Sequence, residues 1–168
     1  MSIRRPRLRA SVGARAPKGW GPGDISPIAR TPPGLSPGPP SDEPAGDPPP
    51  WWRGSRPEWA IFWGLLKLGK KPGIDFVYQA EIPGLGSGDT SLLDFYLPDY
   101  ALAIEVQGTF WHVELGTESQ VAAEIRRALA ASQGITMVFI GEEDALKRPV
   151  ESIQRAFLYQ DTWLAETQ

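Results

Sequence analysis

Residues 92–108 read LLDFYLPDYALAIEVQG, and the fold turns on how the two halves of this stretch pair. Each half is rich in aliphatic and aromatic residues that suit a pleated, half-buried surface, and Pro98, Asp99 and Tyr100 between them make a turn. A tight hairpin with Asp99 and Tyr100 at its tip sets Pro98 against Ala101. In that register Asp94 lies directly opposite Glu105, with Cβ atoms roughly 4.5–5.5 Å apart. Gln107, two residues beyond Glu105, projects from the same face. Two opposed carboxylates within a sheet are unfavourable, because like charges repel and burial removes their hydration. A divalent cation such as Mg²⁺ or Mn²⁺ resolves the conflict through hard oxygen ligands. Protonation of one carboxylate or an arginine partner resolves it differently, and a solvated sheet face would leave nothing to resolve. The apolar flanks of both acids argue against that last case.

Working outward, DFVYQAEI (75–82) reads as a preceding strand, joined through PGLGSGD to the strands at 91–97 and 101–107. The three form an antiparallel meander. Upstream, a helix is expected from about Arg56 to Leu68. Ser55 is its N-cap, Glu58 completes a capping box, and Pro57 is tolerated in the first turn. Trp59, Phe62, Trp63 and Leu66 recur at helical spacing, and Gly69 and Pro72 stop the helix. Downstream, the loop GTFWHVELG leads to a helix at about 118–132, with Thr117 and Gln120 as a second capping box and Gly134 beyond its end. ITMVFI (135–140) is a short, continuously apolar strand, as in a sheet covered on both faces. A final amphipathic helix is expected over about 150–164, with Ile153, Ala156, Phe157 and Leu164 mostly along one side. The crossover helix makes the strands at 101–107 and 135–140 parallel. The expected class is therefore α/β, a mixed sheet flanked by helices.

Composition divides the chain in two. Residues 1–50 hold 13 of the 18 prolines, whereas residues 51–168 hold six of the seven tryptophans and all six phenylalanines. The first part reads as an extended or disordered arm with polyproline II stretches, since it cannot bury enough apolar surface to offset ordering entropy. The second part is long enough for a core of its own. Deleting 1–50 is expected to leave it folded. The arm is basic at its start (Arg4, Arg5, Arg7, Arg9, Arg15 and Lys18), while residues 51–168 carry ten Lys/Arg against sixteen Asp/Glu. A basic arm on an acidic body suits nucleic acid; a tail that aids solubility, or docks on a protein or a neighbouring subunit, fits as well. The chain has no cysteine, which excludes disulfides and thiolate-bound zinc. No secretory h-region and no stretch of roughly 18 apolar residues is present, so no membrane association is expected. The expected setting is cytoplasmic, or a virion for a phage-encoded chain.

The segments LLDFYLPDYALAIEVQGTFWH and IRRALAASQGITMVFI, in this order and spacing, resemble the PD-(D/E)xK restriction-endonuclease-like superfamily, and within it the very-short-patch-repair-endonuclease-like branch. The resemblance covers about residues 56–145. It implies a metal-dependent DNA endonuclease with Asp94 and Glu105 as metal ligands and the Val106 carbonyl as a possible third. It puts Glu58 at the position that holds a metal-bound water, a role that stands beside capping. His112, the only histidine, would protonate a leaving oxygen or hold a phosphate; otherwise it is a loop histidine packed near Trp111. Arg126 or Arg127 would meet a phosphate, or else be solvated. Trp51, Trp52 and Trp111 could stack on bases, although Trp51 and Trp52 also fit as a hydrophobic anchor at the start of the domain. Gln107 departs from the pattern. It stands where Lys or Asp is usual, and its amide can position a water but cannot act as a base. That departure keeps a second reading open: a weak or inactive nuclease fold reused as an assembly component of a phage particle or nucleoprotein complex.

Overall fold

In a computed structural model, residues 40–82, 91–108 and 116–163 are described. Helix α1 (Arg56–Lys67) leads into strands β1 (Val77–Ile82), β2 (Ser91–Leu97) and β3 (Leu102–Gln107). Helix α2 (Gly116–Ser132) crosses to strand β4 (Thr136–Gly141), and helices α3 (Glu142–Lys147) and α4 (Pro149–Phe157) follow. The sheet order is β1-β2-β3-β4. The first two pairings are antiparallel and β3–β4 is parallel. This is the expected mixed α/β sheet.

The β2–β3 connection sets the register. Pro98–Tyr100 forms a single 3-10 turn, and Ala101 closes it in the left-handed region (φ 46°). The Ala101 N–H donates to the Pro98 carbonyl at 3.1 Å. Leu97 therefore pairs with Leu102, Tyr96 with Ala103 and Phe95 with Ile104, the register that opposes Asp94 to Glu105.

Alternation along the strands sorts the core into two layers. Phe95, Leu97, Leu102, Ile104, Val138 and Ile140 pack with Trp59, Phe62 and Leu65 of α1 and Ile153 of α4. Ala103, Met137 and Phe139 pack on the other side with Ala123 and Ala130 of α2 and with Trp163. Helix α1 carries the expected capping box, in which the Ser55 hydroxyl accepts from the Glu58 N–H and the Glu58 carboxylate accepts from the Ser55 N–H. Gly64 lets α1 approach α4 closely; a Cβ there would stand 2.6 Å from Ile153 Cδ1.

Three expectations are corrected. Helix α2 begins at Gly116, so Thr117 lies inside it rather than at its N-cap. The strand expected from Asp75 begins at Val77, because the Asp75 carboxylate accepts the Lys71 N–H at 2.8 Å and holds a turn. The helix expected over about 150–164 stops early, at Phe157, and is preceded by the short helix α3, which was not expected. Arg148 precedes Pro149, a place disfavoured for helix, and takes φ −140°, ψ 55°. After α4, Tyr159 is left-handed (φ 59°) and the chain folds back along the free edge of β4. There Asp161 accepts from the Phe139 N–H (2.8 Å) and the Thr162 hydroxyl accepts from the Gly141 N–H (3.2 Å). Unpaired strand donors need such acceptors, and that need outweighs helical continuation. Leu164 lies outside the described residues.

Residues 41–50 run against α1 and α4. Trp59 Nε1 donates to the Gly46 carbonyl (3.0 Å), buried Lys67 to Ser41 Oγ (2.9 Å), and the Asp42 carboxylate accepts the Glu151 N–H (3.0 Å) at the start of α4. Trp52 is buried and stacks on Tyr78 at 4.6 Å. It is an anchor within the core, not a free platform for a base.

Candidate active site

Pairing between β2 and β3 stops at Phe95–Ile104, although β2 continues back to Ser91 and β3 on to Gln107. The next pair in register is Asp94 and Glu105, and here side chains replace the ladder. Asp94 Oδ2 accepts the Val106 N–H at 2.8 Å, while the Glu105 carboxylate accepts the Asp94 N–H. Each acid is thus tied to the other's strand, and the two share one small environment. Glu105 is only 4% exposed.

Burial pushes the Glu105 carboxyl up to about 8, and the charge of Asp94 adds to the rise. Burial likewise raises Asp94 to about 6, against the Val106 N–H bond that favours its charged form, with Glu58 raising it further and Arg126 opposing. Two carboxyls so placed share charge poorly and titrate as a pair. Arg126 of α2 relieves part of the conflict. Its Nη2 donates to Glu105 Oε1 at 3.1 Å and to the Leu92 carbonyl at 2.8 Å.

Glu58 contributes its charge to both acids. Its Oε1 accepts from the Ser55 hydroxyl at 2.7 Å, and its Oε2 from the Tyr78 hydroxyl at 2.6 Å. The capping role and a place beside the pair therefore coexist. Gln79 Nε2 donates to the Tyr78 oxygen at 3.2 Å. Burial, then the bond to Glu58, raise the Tyr78 pKa, so its hydroxyl remains a donor. Gly54 is required here. A Cβ on it would overlap the Tyr78 hydroxyl and lie 2.7 Å from Glu58 Oε2. Tyr78, Gln79 and Gly54 escaped the sequence reading. Gln79 stands opposite Asp94 in the β1–β2 register and has φ 51°, a left-handed value that costs a non-glycine residue roughly 1–2 kcal/mol. Such strain persists where its surroundings enforce it.

The other expected residues divide. Val106 lies in the β3–β4 ladder opposite Ile140, and half-buried Gln107 opposite Gly141. Arg127 is not brought to the pair: it holds Asp161 at 2.9 Å, donates to the Met137 carbonyl at 3.4 Å and lies over the Phe139 ring. His112, Trp111, Arg4, Arg5, Arg7 and Arg9 lie outside the described residues. Among the described residues no three His, Cys, Asp or Glu side chains stand close enough together to hold a metal ion. Glu58 therefore acts on the pair by charge rather than as a third close ligand.

The donor chemistry of the pair nonetheless fits a hard divalent cation. Two carboxylates meet in a buried place and disfavour their own joint ionisation, and a double positive charge compensates for that most directly. No family model, curated protein or solved structure matches this chain. No helix among the described residues is long and apolar enough to cross a membrane.

Proposed function

We propose that this chain is a metal-dependent DNA endonuclease that hydrolyses phosphodiester bonds at Asp94 and Glu105. The observation that carries the reading is the broken ladder, where the two acids displace regular β pairing and meet in a buried environment. Keeping two carboxyls together there is costly, and a bound cation would offset that cost beyond what Arg126 already does. Asp94 and Glu105 are the residues that would hold Mg²⁺ or Mn²⁺. When bound, such an ion polarises a phosphate oxygen and lowers the pKa of a coordinated water. Glu58, fixed by Ser55 and Tyr78, presents an acceptor that orients water beside the pair. Arg126 supplies positive charge for a phosphate oxygen at the same spot. Gln107 offers an amide where a base is usual, so a slow reaction is expected.

The test is cleavage of plasmid and single-stranded DNA with Mg²⁺ or Mn²⁺. The reading requires metal-dependent cleavage that is lost in Asp94→Ala; equal activity of that variant removes the site. The second reading, an assembly component, gains from Arg126 already neutralising Glu105 and from Gln107. Absence of cleavage across substrates would favour it. The cytoplasm, or a virion, is the setting proposed for either.

A further inference from the structure

Arg126 occupies an unusual place. One guanidinium nitrogen bonds both the buried Glu105 carboxylate and the backbone carbonyl of Leu92. That carbonyl belongs to the part of β2 beyond the last β2–β3 pair. The Arg126 side chain is 36% exposed while that of Glu105 is 5% exposed. Thus the arginine reaches the acid from the solvent side, and its bond to Leu92 offers a pivot independent of the acid. A divalent cation and a guanidinium compete for a carboxylate in so small a space, since each repels the other. Arg127, one position along, contrasts with it: its Nη2 is fixed to Asp161 and its Nη1 to the Met137 carbonyl.

We propose that Arg126 is a displaceable counter-ion: it neutralises Glu105 before a divalent cation binds, is released when the cation binds, and then serves the phosphate backbone of DNA. This rests on the cation reading above and adds to it a coupling between the two ligands. Before cation binding, the Arg126–Glu105 pair weakens affinity for the metal and keeps the arginine from phosphate. Once the cation takes Glu105, the guanidinium is free to pair with a phosphate oxygen, an interaction it favours through charge and fork geometry. Cation and DNA thereby strengthen each other's binding, by the same factor in both directions.

The experiment uses the full chain and Mn²⁺, with free ion followed by electron paramagnetic resonance. Arg126→Gln is expected to bind Mn²⁺ more tightly, on the order of tenfold at low salt, because a repelling charge is gone. Arg126→Lys keeps the charge and is expected to stay within about twofold of the unaltered chain. A cleavage-resistant phosphorothioate duplex is expected to tighten Mn²⁺ binding to the unaltered chain and to have much less effect on Arg126→Gln. Without any variant, an Mg²⁺ titration followed by arginine side-chain NMR should move the Arg126 resonance and leave Arg127 in place. Weaker or unchanged Mn²⁺ binding by Arg126→Gln, or a stationary Arg126 resonance, overturns the inference alone. No Mn²⁺ binding by the unaltered chain overturns the cation reading and this inference with it.

Discussion

The two ends of the β2–β3 pair obey different rules. Toward the turn, Phe95, Leu97, Leu102 and Ile104 are fully buried and paired in an unbroken ladder. One step further, Asp94 and Glu105 interrupt that ladder, Gln79 opposite Asp94 is left-handed, and Arg126 reaches in from α2. The first end gains stability from its paired apolar residues, with left-handed strain only at Ala101, which closes the turn. The second gives up β pairing, hydration and backbone comfort within a few residues. Concentrated local cost beside an otherwise consistent fold is the pattern a functional site would explain.

The contrast can be broken at the turn end first. Phe95→Ala removes a buried ring touching Phe76 and Tyr78. It should cost about 3–5 kcal/mol in chemical denaturation. A cost below about 1 kcal/mol would mean the ladder end is not the stabilising half. Next comes the segment before Trp51. Deletion of residues 1–50 removes the acceptors of Trp59 and Lys67 and the Asp42 cap on α4, and should cost about 2–3 kcal/mol by the same measurement.

At the site end the sign reverses. Both acids hold a proton more tightly folded than unfolded, Glu105 to about 8 and Asp94 to about 6. In the metal-free protein, this pair's contribution to stability is therefore fullest below about pH 4, where both states are protonated, and is lost as pH rises to about 8. Asp94→Asn should flatten this fall and raise metal-free stability at pH 8 by about 1–2 kcal/mol while abolishing cleavage. Thermal melts across pH check it; a variant less stable than the parent at pH 8 contradicts it. The smallest effect belongs to Gln79→Gly, which should stabilise by about 0.5–1 kcal/mol as left-handed strain is relieved. A loss of stability would show that the Gln79 amide on Tyr78 outweighs the strain.

The hairpin was legible in the amino-acid sequence because a three-residue turn leaves little freedom of register. Opposing Asp94 to Glu105 followed from that, as did the parallel β3–β4 pair from the crossover helix. Glu58 was legible through its capping box, but its second bond was not. Tyr78 meets it only because β1 pairs with β2 in a register that the long PGLGSGD connection does not determine. Arg126 and Arg127 are adjacent and chemically alike, and helical spacing alone cannot say which faces the acids and which reaches Asp161. The end of the last helix was misread because its competitor, the open edge of β4, is a tertiary feature. Residues 41–50 look like a linker by composition, yet Trp59, Lys67 and the start of α4 use their polar groups.

Asp94 and Glu105 are proposed to hold one divalent cation between them. Crystals soaked in Mn²⁺ and measured for anomalous scattering test it most directly. A single peak is expected at coordination distance, about 2.0–2.3 Å, from an oxygen of each carboxylate. A chain that binds Mn²⁺ elsewhere, with Arg126 still seated on Glu105 and no peak between the two acids, would contradict it.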